Sequence, residues 1–203
     1  YFNGTFRGLT NVSCGAGSSG LSEDFSSCQG LAIGTFNMST KEVLAPIGGT
    51  IQELIIYPSD QSANRTGIES NIDAYYNQGI DPVQQTLVPW EPSELDLALW
   101  LDAADFTTLT IDGSNRVTTW ADKSGNGRNA VNANGPNYAA SALNGLDVVR
   151  FVGDNSRAYT LDGQFPSRSK VTIYLVGNKP TAGGDSYQRF ISTSNCASSD
   201  FQG

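Results

Sequence analysis

At Trp120-Ala-Asp-Lys-Ser-Gly-Asn-Gly127 an aromatic strand end runs straight into a turn of Asp, Ser, Asn and two glycines. Such a segment leaves the backbone little choice. Glycine tolerates positive φ, and Asp and Asn side chains bond their own backbone, so the chain reverses here. The same alternation recurs along the chain. Strand-like runs lie at 31–36, 50–57, 97–101, 115–120, 147–152, 170–176 and 188–192, with turn clusters between them. That spacing predicts an all-β antiparallel sandwich. The 22 glycines and the low charge content fit short strands joined by many turns.

Two strands carry more detail. From Thr50 to Tyr57, Ile51, Leu54, Ile55 and Ile56 are almost continuously apolar, as in a strand covered on both faces. From Lys170 to Val176, Val171, Ile173 and Leu175 share one face. Between these strands one short helix is expected near 62–78. Ser59, Asp60 and Ser62 offer N-caps, and Gly79 suits the C′ position. Ile68, Ile72, Tyr75 and Tyr76 form one helical stripe, read as core and not as a sugar-stacking platform. Gly67 weakens the helix by up to about 1 kcal/mol. Residues 81–93 contain Pro82, Pro89 and Pro92 and have no period, so they read as a linker or an extended crossover.

The formal net charge is −8, which argues against a nucleic-acid partner, because phosphate binding needs a basic patch. No apolar run approaches the roughly 18 residues of a membrane span, so no membrane insertion is expected. No signal peptide is visible, and the start at Tyr1 reads as a piece of a longer polypeptide. The three cysteines are an odd count. Cys14 and Cys28 flank a Gly/Ser-rich loop and could bridge, which would stabilise it by about 3 kcal/mol. Three reduced thiols read equally well, and with the bridge formed Cys196 would be free or paired outside the segment. The chain has no histidine, which removes Ser-His-Asp and Cys-His chemistry and His-rich metal sites.

Taken as a set, Leu99-Trp-Leu-Asp102, Trp120 to Gly127, Val149-Arg-Phe-Val-Gly153 and Gly49 to Tyr57 with its following helix resemble the laminin-G-like, concanavalin A-like jelly-roll family. In that family the elements matching 99–153 open the domain, and those matching 49–79 close it. Here the order is reversed. Residues 1–79 resemble a closing half, 80–94 a Pro-containing linker, and 95–203 an opening half. The preferred reading is a slice of a tandem array, ending one domain and beginning the next. The alternative is one circularly permuted jelly roll, which is geometrically cheap where termini lie close together.

The turn at Asp122-Lys-Ser-Gly-Asn-Gly127 also resembles the first half of a calcium loop, with oxygens at positions 1, 3 and 5 and Gly at 6. The acid required at position 12 is missing, since that position is Ala133. A looser calcium site, with Asp122 and Asn126 supplying oxygens, stays open as the one candidate cofactor. Against it stands a structural reading, in which Asp122 caps the turn and Asn126 and Gly127 take its positive-φ positions. Trp120 reads as core.

The family includes β-glucanases, whose paired carboxylates alternate on one strand. No such strand occurs here. Glu91, Glu94 and Asp96 lie in or beside the proline-rich join, Glu53 is a single acid in an apolar strand, and Glu23 and Asp24 are adjacent. A catalytic role is therefore not expected. Four N-x-[ST] sequons, at Asn3, Asn11, Asn37 and Asn64, read as chance in so Ser/Thr/Asn-rich a chain. The resemblance implies a non-catalytic module of an extracellular or virion-surface assembly, of phage-fibre or decoration type. Its expected partners are a glycan or cell-surface receptor and further copies or domains of the same protein. A carbohydrate-binding accessory domain of a secreted hydrolase and a ligand-free structural spacer are the alternatives.

Overall fold

The computed structural model describes residues 30–34, 48–76, 92, 95–152, 157–165, 171–178 and 190–194. The Cys14–Cys28 pair, Cys196, Gly79, Glu23, Asp24, Glu91, Glu94 and three of the sequons lie outside the described residues, as does nearly all of the proline-rich join. What is described is mostly β, with eleven strands in two antiparallel sheets and one α-helix. The strands are β1 (Gly30–Ile33), β2 (Gly48–Tyr57), β3 (Leu99–Asp102), β4 (Leu109–Ile111), β5 (Val117–Trp120) and β6 (Ala130–Val131). They continue as β7 (Asn137–Leu143), β8 (Leu146–Val152), β9 (Tyr159–Leu161), β10 (Thr172–Asn178) and β11 (Ile191–Ser194). The helix, α1, spans Arg65–Tyr76 after a single 3-10 turn at Ser62–Asn64.

One sheet runs in the order β11-β1-β9-β6-β5-β4. The other runs β10-β2-β8-β7, with β3 also on β2. Strands that precede the proline-rich join pair with strands that follow it. β1 lies between β11 and β9, and β2 pairs with β3, β8 and β10.

The near-continuous apolar run in β2 has the physical basis expected of it. Ile51, Leu54 and Ile56 join an apolar core that also takes Leu31, Ile33, Val117, Trp120 and Tyr159 from the other sheet. Ile55 and Tyr57 point the other way, into a second cluster with Ile68, Ile72 and Tyr76 of α1. Fully burying each such isoleucine contributes roughly 1.5–3 kcal/mol. Val171, just before β10, and Ile173 and Leu175 within it pack on the first core, while Tyr174 and Val176 belong to the second.

The helix stripe needs one correction. Ile68, Ile72 and Tyr76 are buried, but Tyr75 is 39% exposed and stacks edge-on against Tyr76 at 4.9 Å. A position seven residues after Ile68 has drifted round the helix by 20° per heptad, enough to bring Tyr75 to the rim of the buried stripe. None of Ser59, Asp60 and Ser62 takes the N-cap position, which falls on Gln61 and carries no side-chain capping bond; Asp60, just before it, accepts from the Ser62 backbone N–H at 2.9 Å.

Candidate functional site

β2 changes neighbours along its length. Its first residues pair with β8, up to Ile51 opposite Val149. Its later residues pair on that same side with β3, from Glu53 opposite Asp102. Gln52 sits at the seam. On the opposite side the register with β10 slips at the same place, with Ile51 facing Gly177 and Glu53 facing Val176. Gln52 is thus the extra residue of a β-bulge, a device that re-aims side chains. A side chain at Gly177 would put its Cβ 2.5 Å from the Thr50 carbonyl oxygen, so the bulge requires glycine there.

The bulge places two polar residues in succession on β2, both fully interior. The Gln52 side-chain N–H donates to the Leu143 carbonyl at 3.3 Å. Glu53, 5% exposed, accepts from the Trp100 indole Nε1–H at 2.9 Å and from the Tyr76 hydroxyl at 2.8 Å. One carboxyl group thereby ties β2 to β3 and to α1. Opposite it, Asp102 accepts from the Ala104 N–H at 3.0 Å and from Lys123 Nζ at 3.0 Å. Lys123 also pairs with Asp105 at 3.0 Å and lies 4.4 Å from the centroid of the Trp100 ring.

The electrostatics follow from this packing. Burial, reinforced by the nearby Asp102 charge, pushes the Glu53 carboxyl up from its ordinary 4.5 to about 7, against the pull of its two hydrogen-bond donors and Lys123. Burial drags the Lys123 ammonium down, but bonding and attraction from Asp102 and Asp105 outweigh it, and the net shift is upward. Burial beside Glu53 holds the Tyr76 phenol well above its usual range.

A group whose folded pKa exceeds its unfolded value stabilises the fold most below the unfolded value. That contribution fades as pH rises from 4.5 to about 7 and is gone above it. The rise corresponds to roughly 3 kcal/mol. Glu53→Gln keeps the shape and does not titrate. It should therefore be more stable than the wild type at pH 8, by on the order of 2 kcal/mol, and lose the slope between pH 5 and 7. Urea melts of both proteins at pH 5 and pH 8 test this; parallel pH slopes would refute it.

Glu53 is therefore not a lone acid. Its partner lies on a neighbouring strand, whereas alternation along one strand is what the sequence can be searched for. The available signal was the dipeptide Gln52-Glu53 inside an apolar strand, which breaks the inward–outward period and marks a bulge.

The turn after Trp120 works differently from a calcium loop. Asp122 spends both oxygens on four internal donors. One oxygen accepts from the backbone N–H of Trp100 at 3.1 Å and of Ser124 at 2.9 Å. The other accepts from the Ser124 hydroxyl at 2.8 Å and the Arg128 N–H at 3.0 Å. Asn126 turns its amide N–H groups inward, to the Leu97 carbonyl at 2.7 Å and the Ser124 hydroxyl at 2.9 Å. It does not take a positive φ. Gly125, at +84°, and Gly127, at +68°, do so. The reason is steric, since two glycines flank it and reach that region at no cost. Among the described residues no group of three or more His, Cys, Asp or Glu side chains is placed to hold a metal. Both Asp122 oxygens and the Asn126 amide nitrogen are thus engaged within the loop and its neighbours. Trp120 is fully buried, as expected.

Elsewhere on the surface, Phe106 is 54% exposed and packs edge-on against Tyr138, with ring centroids 5.5 Å apart. The Tyr138 hydroxyl donates to Asp147 at 2.5 Å, and Asp147 also accepts from the Ser141 N–H at 3.0 Å. No helix among the described residues is long and apolar enough to cross a membrane. No family model, no curated protein and no solved structure matches the chain.

Proposed function

We propose that this chain is a non-catalytic surface module, a concanavalin A-like jelly roll belonging to an extracellular or virion assembly, and that it binds glycans. The pairing of β1 and β2 with strands beyond the proline-rich join supports reading the two segments as halves of one permuted unit. The observation that carries the binding role is the Phe106–Tyr138 pair. An exposed aromatic ring, braced by a second ring that is itself tied to a carboxylate, offers the apolar face of a sugar ring a rigid surface at little entropic cost. The neighbouring carboxylates support a non-catalytic role, because Asp102, Asp122 and Asp147 are spent on holding loops and strands.

A glycan array probed with the wild type and with Phe106→Ala, in calcium and in EDTA, tests the reading. The expected result is binding that is indifferent to EDTA and falls at least about tenfold in Phe106→Ala, with an unchanged circular dichroism spectrum. Binding that survives the substitution overturns the Phe106 surface. Silence of the folded wild type favours the structural spacer.

A further inference from the structure

The Glu53 carboxyl bonds β2, β3 and α1 together, and it lies directly across the ladder from a second carboxylate. Residues opposite each other on antiparallel strands have Cβ atoms about 4.5–5.5 Å apart, and like charges so placed repel. We propose that Glu53 is a proton-operated latch for α1, seating the helix on the sheet when neutral and loosening it when ionised beside Asp102.

Among the described residues the charged groups facing the latch can be named. Asp102 on β3 opposes ionisation of Glu53, and Lys123 favours it. Lys123 is held by Asp102 and Asp105, so its positive charge is already matched by two carboxylates and only partly offsets a third. From α1 come the phenols of Tyr75 and Tyr76, and from β2 and β10 those of Tyr57 and Tyr174, all of them neutral in the range where Glu53 titrates. Glu69 on the helix is paired with Arg65 at 2.6 Å. Below Tyr76 the helix meets the sheet through Ile68 and Ile72, which bear no charge. Ionisation of Glu53 therefore acts on the last turn of α1, where Tyr76 provides the polar tie.

Hydrogen–deuterium exchange of the full chain at pH 5.5 and pH 8.5, compared as protection factors, reads the latch directly. In the wild type, α1 amides should lose at least about tenfold protection at the higher pH, and at that pH they should be less protected than those of β5 and β9. In Glu53→Gln the two pH values should give the same α1 protection. α1 amides as protected at pH 8.5 as those of β5 and β9, which would mean that the helix opens only with the whole fold, or an undiminished pH difference in Glu53→Gln, would overturn the proposal. Tyr76→Phe supplies an independent arm should Glu53→Gln fail to fold. It removes a donor that favours the carboxylate, so the pH midpoint of α1 loosening should rise. An unmoved midpoint would count against the latch as decisively.

Discussion

Asp122→Ala should cost about 3–5 kcal/mol of stability. The substitution strips the partner from three backbone N–H groups, those of Trp100, Ser124 and Arg128, and from the Ser124 hydroxyl. Each donor left unsatisfied in a partly buried site costs about 1–3 kcal/mol, and the losses do not simply add, because the loop can relax. For a chain of this size that is a fall in melting temperature on the order of 10 °C. Asp122→Asn should recover about half of the loss. Its remaining oxygen can still accept from two donors, while its amide nitrogen meets the Arg128 N–H badly. Thermal melts of the three proteins with and without calcium decide the matter. A drop below about 1 kcal/mol, or a melting point that calcium raises in the wild type alone, would show that the carboxylate serves a cation and not the loop.

Gly135→Ala should be comparably damaging, by more than about 3 kcal/mol, for a steric reason. A Cβ at Gly135 would lie 1.8 Å from the Val117 carbonyl oxygen and 2.8 Å from its carbon. That carbonyl cannot retreat easily. It accepts from the buried Tyr159 hydroxyl at 2.7 Å, and the Val117 N–H bonds the Pro136 carbonyl at 2.8 Å. Relief would shift β5 and with it Trp120, the largest fully buried side chain among the described residues. Gly113→Ala is the matched control. Its Cβ meets nothing within 4 Å, so it should fall within about 0.5 kcal/mol of the wild type. Chemical denaturation of the pair tests the contrast, and similar stabilities for the two variants would refute it.

The strands legible in the sequence were those with the strongest apolar signal. Thr50 to Tyr57, the Asp147–Val152 run and the strand ending at Val176 all lie within or overlap strands of the fold. The helix was legible from Ile68, Ile72, Tyr75 and Tyr76, whose i, i+4, i+7, i+8 spacing mixes even and odd steps that a strand would send to opposite faces. β4, β6 and β9 escaped because two or three residues are too few to display a period. β7 escaped because Asn-Tyr-Ala-Ala-Ser-Ala-Leu is half polar and small, as a partly exposed strand at the edge of a sheet can be. The acid cluster was hidden for a different reason. Glu53 and Asp102 lie 49 positions apart, and only a register of hydrogen bonds brings them opposite. The Asp122 turn was readable as a turn, but its work on Trp100 and Arg128 required knowing which backbone donors the fold delivers to it.

The partners of β1 and β2 have a consequence for how the chain reaches this state. β1 needs β11, whose residues follow it by about 160 positions, and β2 needs β10, more than 110 positions later. Neither strand can complete its ladder from local sequence, so loop closure must be paid before those contacts reward it. On a ribosome the β2 segment emerges before β10 and waits with one edge unpaired until residues 172–178 have been made. Assembly is therefore a late, chain-wide event. During that interval a chaperone, or the corresponding strand of a second nascent chain, competes for β2.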